Sequence, residues 1–185
     1  PPEIPVTAGD IVRVLDPAIG GVNFFTGFGP PFFGPEGNGG STSSSLAGFG
    51  GLSAYVGTQG ALTGVFLTDA IPSSGVTPAL STDRNFLSVS PLIGQIFFIG
   101  DGKTDDGVFQ TFEAPAGATR LALGIPDGFG FVGVPGAYDD NDGAYRIRVG
   151  INTIPTPAPQ VPLPAPLALL ATGLAALGLT ARKRR

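Results

Sequence analysis

The chain has 185 residues, a formal net charge of −4, 13% charged and 42% hydrophobic residues, 30 Gly, 19 Pro, 14 Phe, and neither Cys nor His. The last two absences exclude disulfides, thiol nucleophiles, imidazole bases and His-ligated zinc, while low charge with abundant Phe argues against a disordered acidic filler. Four of the 10 basic residues are the last four of the chain; setting them aside leaves 6 against 14 acidic residues, a charge of −8 that repels nucleic-acid phosphates and suits cations.

Many short apolar runs divided by Gly and Pro predict an all-β fold. Residues 6–15 read as a first strand entered through a turn at Ala8, Gly9 and Asp10. Residues 16–50 are rich in Gly, Pro and Phe, end in a Ser/Thr run, and read as a long loop. Short apolar runs at 51–56 and 61–67 read as strands, and 68–91 as a turn-rich connection. Residues 96–99 (Ile-Phe-Phe-Ile) suit a strand buried on both faces. Residues 110–114 alternate, 115–118 turn, and 119–125 form another strand. In 145–149 strict alternation puts Arg146 and Arg148 outward and Tyr145, Ile147 and Val149 inward. The expected architecture is a small antiparallel β-sandwich over 1–152, followed by a Pro-rich spacer at 153–160.

Oxygen ligands concentrate between Asp127 and Asp142, where Asp127, Asp139, Asp140, Asp142 and Asn141 occur among Gly and Pro. Calcium prefers 6–8 such oxygens, drawn from carboxylate, amide and backbone carbonyl. The plainer reading is a solvated turn before the last strand. A second acidic loop, with Asp101, Asp105 and Asp106 around Lys103, reads as a hairpin turn. Carboxylates are also what a glycosidase needs, but these sit in turns where desolvation is difficult, so no enzyme is expected. Phe24, Phe25, Phe32, Phe33 and Phe49 suit packing over the sandwich ends, whereas Phe129 and Tyr138 are candidates for stacking on a sugar ring.

The segment from Val134 to Tyr145 resembles the closing loop of the bacterial calcium-dependent galactophilic lectins, Pro-Gly-Thr-Tyr-Gly-Asn-Asn-Ser-Gly-Ser-Phe. Three further points agree in chain order: the opening strand around Gly9 and Asp10, the loop with Phe28, Gly29, Pro30, Gly34, Pro35, Glu36 and Gly37, and the two segments Phe97 to Gly102 and Phe112 to Pro115. The resemblance implies a sandwich of the galactose-binding, jelly-roll type, with calcium as cofactor and a glycan as partner. It implies ligation by Asp140 and Asn141 at the family's Asn pair, and by the carbonyls of Phe28 and Ala137. Gly133 falls where the family has its aspartate, so Asp127, ahead of an insertion at 128–132, becomes the replacement ligand. Phe129, Tyr138 and Asp139 would then flank the bound sugar, although the family's sugar-contacting His is absent.

The C-terminus reads Val161, Pro162, Leu163, Pro164, Ala165, an uncharged apolar run from Pro166 to Ala181, then Arg182, Lys183, Arg184 and Arg185. Apolar on every side, the run lacks the polar face of a surface-packed helix. Sixteen residues are short of the roughly 20 a spanning helix needs, but starting at Val161 and snorkelling by the basic stems lengthen it. Basic residues stay cytoplasmic, so everything before Val161 is expected outside the cytoplasm. The segment resembles the PEP-CTERM family of bacterial sorting signals in its Val-Pro-Leu-Pro-Ala variety. That implies an exported protein, tethered to the inner membrane on its periplasmic side by a C-terminal hydrophobic helix, processed by an exosortase and destined for the cell surface or an extracellular polysaccharide matrix. Export calls for an N-terminal signal; none is visible at Pro1, so a removed signal or a truncation is expected.

Overall fold

A computed structural model describes residues 1–25, 29–38, 43–73, 77–80 and 84–155. The strands are β1 (Glu3–Pro5), β2 (Ile11–Asn23), β3 (Ser43–Leu46), β4 (Tyr55–Thr58), β5 (Thr63–Leu67), β6 (Ser88–Val89), β7 (Ile96–Phe98), β8 (Thr111–Glu113), β9 (Arg120–Gly124), β10 (Val132–Gly133) and β11 (Asp142–Ile151). They form three sheets, ordered β1-β9-β5-β7, β11-β2-β8-β6 and β10-β3-β4. The described residues are all-β apart from two short 3-10 turns, at Phe129–Phe131 and Tyr138–Asp140.

Side chains alternate along each strand, and the registers decide which face each one joins. Gly64 pairs with Leu123 and with Phe97, and Phe66 pairs with Leu121, so these residues share one face of the first sheet. That face meets Val12, Val14 and Phe112 of the second sheet to make the main core. Phe66, Phe97 and Phe112 stack in series, with ring centroids 5.2 and 5.3 Å apart. Tyr145, Ile147 and Val149 pack against this core while Arg146 and Arg148 are exposed, as the alternation predicts.

Residues 16–50 are not one loop. β2 continues through Pro17, Gly20 and Gly21 to Asn23 because β11 lies alongside it, pairing Ile19 with Arg146 and Asn23 with Asp142. Pro17 is accommodated where the register shifts between Arg146 and Arg148, whereas Gly20 and Gly21 keep regular pairs with Tyr145 and Ala144. Ser43–Leu46 is likewise a strand, held by four register pairs with β4. Pairing with a neighbour overrides weak local propensity in both places. The start of the chain also differs from expectation: Thr7 to Asp10 form the turn, closed by Asp10 N–H on the Thr7 carbonyl at 2.9 Å, and β1 precedes it. Nor are all pairings antiparallel, since β6 runs parallel to β8 and β10 parallel to β3.

A second apolar cluster lies outside the main core. The Phe24 ring packs within 6.0 Å of Phe25, Phe33 and Phe131, centroid to centroid. Gly60 makes room for it: a Cβ there would lie 1.8 Å from the Phe24 ring, and the Gly60 φ of +65° is left-handed as well. The rest of the expected spacer, beyond Pro155, and the C-terminal residues 161–185, where a sorting signal and a hydrophobic helix are expected, lie outside the described residues. Among the described residues, no helix is long and apolar enough to cross a membrane.

Candidate functional site

The loop between β9 and β11 is shaped by its own backbone before any side chain acts. Gly136 N–H donates to the Asp127 carbonyl at 2.9 Å, and Phe131 N–H to the Gly128 carbonyl at 2.7 Å. Phe131 and Ala137 both have φ of +61°, a left-handed conformation that costs a residue with a Cβ about 1–2 kcal/mol. β10, in the middle of the loop, pairs Val132 with Ser45 and Gly133 with Leu46, tying it to the third sheet.

Asp127 is only 2% exposed. One carboxylate oxygen accepts the Gly128 N–H at 2.7 Å and the other accepts Asn141 Nδ2 at 2.9 Å. Burial raises its pKa from the usual carboxylate range, the two N–H donors oppose that rise, and the charge of Asp140 adds to it. Asn141 is half-buried, and its Oδ1 is enclosed without a hydrogen-bond partner. Ala137, in its left-handed turn, leads into Tyr138–Asp140, where Asp139 and Asp140 are exposed. Phe129 is 91% exposed and Tyr138 54%. Burial raises the Tyr138 pKa, a backbone hydrogen bond from Asp127 lowers it, and the charge of Asp127 raises it.

The fold therefore brings Asp127 and Asn141 into contact, with Asp140 within electrostatic reach and Ala137 on the same turn. Phe28 lies outside the described residues. Asp142 turns elsewhere: its Oδ2 accepts Gly29 N–H at 3.0 Å, while Asn23 Nδ2 donates to the Gly29 carbonyl at 2.5 Å. These two residues, paired across β2 and β11, clamp the start of the 29–38 segment beside the acidic loop. Sequence reasoning did not assign that role to Asn23, which is fully buried; its one signal was a polar residue closing the β2 apolar run next to Phe24.

Among the described residues, no group of three or more His, Cys, Asp or Glu is placed to hold a metal ion. A calcium site here would thus rest on one buried carboxylate, one amide, the Asp140 carboxylate at the surface and backbone carbonyls. The second acidic loop is a turn: Asp105 pairs with Arg84 at 2.7 Å and accepts from Asn85 at 2.8 Å, Lys103 reaches Asp16 at 2.5 Å, and Lys103 bridges to Phe109. Compared with family models, curated proteins and solved structures, the chain matches none.

Proposed function

We propose that this chain is an exported, non-catalytic carbohydrate-binding module of lectin-like type that works with calcium in the 127–142 loop. In this reading, the two larger sheets form a sandwich of the galactose-binding, jelly-roll type. The C-terminal segment from Val161 to Arg185 acts as a sorting signal that holds the chain at the inner membrane until an exosortase-type enzyme processes it, after which it reaches the cell surface or matrix. The partner would be an extracellular polysaccharide or other glycan.

The observation that carries the proposal is the meeting of Asp127 and Asn141 at 2.9 Å, with the Asn141 Oδ1 enclosed and unpartnered. Rotating that amide would turn its oxygen toward the carboxylate, an arrangement that is repulsive unless a cation lies between. The donor set suits a hard ion: Asp127, Asp140, the Asn141 amide and the Ala137 carbonyl are all oxygens. Bound calcium would supply coordination positions for vicinal sugar hydroxyls. The chain's own contribution is the rim, where Phe129 and Tyr138 offer exposed rings to a sugar's apolar face and Asp139 offers an acceptor. Weak single-site binding, near the millimolar range, would need many copies at a surface to be useful.

A structural reading is favoured by a different observation. Both Asp127 oxygens are already engaged by N–H donors and the group is 2% exposed. An ion there would rigidify the loop of a surface or biofilm matrix protein and leave little room for sugar.

Calorimetry on residues 1–155, which carry their own core, separates the readings. One calcium per chain is expected, with a dissociation constant of about 0.1–1 mM as in extracellular modules. Asp140→Asn should weaken it about tenfold, since that exposed side chain has no structural bond to lose. Chelator-sensitive retention on a glycan array supports the lectin; calcium-induced stabilisation without retention supports the structural reading. No calcium binding at millimolar concentration sinks both.

A further inference from the structure

The face of the first sheet that turns away from the main core is only partly covered. Val65, Ile96, Ala122 and Gly124 form its floor, Leu46, Phe49 and Leu52 wall it from the side of the third sheet, and Tyr138 stands at one end. Together they enclose an open groove of about 670 Å³. That is within the range of about 300–1,000 Å³ typical of small-molecule sites. Its lining follows the chain from Ala122 in β9 on to Pro126 beyond the end of that strand.

Its chemistry is one-sided. No Asp, Glu, Lys or Arg side chain lines the groove; apart from the tyrosines, the ionisable group in its lining is the amino group of Pro1. The polar side chains in its walls are already satisfied by the protein. Thr63 Oγ1 donates to the Gly124 carbonyl at 3.0 Å and Tyr55 OH to the Thr58 carbonyl at 3.1 Å. Ser53 Oγ donates to the Ala54 carbonyl and accepts the Ile96 N–H, each at 2.9 Å. A sugar, rich in hydroxyls, would find no partners along the floor. A peptide would fare no better, because β5 and β9 are paired on both sides along the floor and the Ile96 N–H of the edge strand β7 is already given to Ser53 Oγ. Its amides would be buried unpaired. An unbranched hydrocarbon chain has no such groups to satisfy, fits an elongated trough, and gains from every methylene it removes from water. Phe49, 64% exposed at the wall, would be covered in the process.

We infer that the groove between the first and third sheets binds a single aliphatic chain of the fatty-acyl class, its polar end left in water at the mouth. The groove borders the acidic loop through Pro135 and Tyr138 but takes in none of the calcium-ligand candidates, so its binding does not depend on calcium.

Gly124 supplies the test. It lines the groove, its φ is not left-handed, and a Cβ built on it meets nothing within 4 Å, so a larger side chain there fills the groove without disturbing the core. The full 185-residue chain is titrated with 11-(dansylamino)undecanoic acid in the presence of chelator, reading dansyl fluorescence. Saturable binding of one probe per chain is expected, weakened at least tenfold in Gly124→Phe with circular dichroism unchanged. Leu52→Asp, which puts a charge in the wall, should weaken it likewise and serves if Gly124→Phe misfolds. Absence of saturable binding overturns the inference. So does equal binding by wild type and both variants, which would put the probe elsewhere, as on the apolar segment 166–181. Self-association abolished by Gly124→Phe without probe binding would give the groove to a second copy, and overturns it too.

Discussion

Glu36 shows how a single side chain can hold two loops together at an electrostatic cost. Its Oε1 accepts the Asp101 N–H at 2.7 Å, and a Cβ at Gly100 would collide with that same oxygen at 2.0 Å. Burial raises the Glu36 pKa above the usual carboxylate value; the Asp101 N–H opposes this, the Asp101 charge adds to it, and Arg84 lowers it. A raised folded-state pKa means that the folded chain holds this proton to higher pH than the unfolded one. Its contribution is therefore most favourable below about pH 4.5, the unfolded value, and declines as pH climbs through the folded pKa. Glu36→Gln keeps an acceptor for Asp101 N–H and removes the charge. Urea midpoints should show wild type losing ground to this variant between pH 4 and 7; parallel midpoints across that range would refute the assignment. Asp127 is held in much the same way, with a buried carboxylate engaged by N–H donors, and sequence alone gave no sign that it would be enclosed rather than open.

At the scale of elements, β11 is where pattern and structure agree best. Its alternation places charged residues in water and apolar ones on the core without reference to any other part of the chain. Ile147→Ala should cost about 2 kcal/mol, toward the low end for removing a core aliphatic side chain because Ile147 is half-buried. Arg146→Ser, next to it on the opposite face, should stay within about 0.5 kcal/mol. Denaturant midpoints of the two variants provide the check, and a reversed order would mean that the strand faces the other way. Although Ile11–Leu15 falls within the expected first strand, the remainder of β2 and all of β3 were not legible by the same means. Their Gly, Pro and Ser residues carry the composition of a loop, and only neighbours distant in sequence, β11 for one and β4 for the other, turn them into strands.

For the molecule as a whole, the two four-stranded sheets share one core, so they should unfold together. Phe112, fully buried between Phe86 and Phe97, is central to it. Phe112→Ala should cost about 3–5 kcal/mol and move a single thermal transition to lower temperature. If instead one part kept the wild-type transition, the sheets would be independent modules. The apolar groove lies between the outward face of the first sheet and the segment carrying Leu46, Phe49 and Leu52. No periodicity could have announced it, because its floor combines the outward residues of three strands with walls from a segment that reads as loop.

Strand alternation, the turn chemistry of Gly and Pro, the exclusion of Cys and His chemistry and the concentration of oxygen ligands near the end of the body are local properties, and the sequence by itself determined them. It also pointed to the all-β character of the described residues, since short apolar runs of this length bury themselves most readily by pairing. Which ligand candidates meet was decided by the tertiary structure: Asp127 reaches Asn141 across the loop, while Asp142, two residues from Asp140, serves Gly29 instead. The same holds for the parallel pairings and the groove. The physical reason is common to all three: each depends on the relative placement of residues far apart in the chain, and that placement is fixed by burial and hydrogen bonding summed over the whole fold, which no short window of sequence contains.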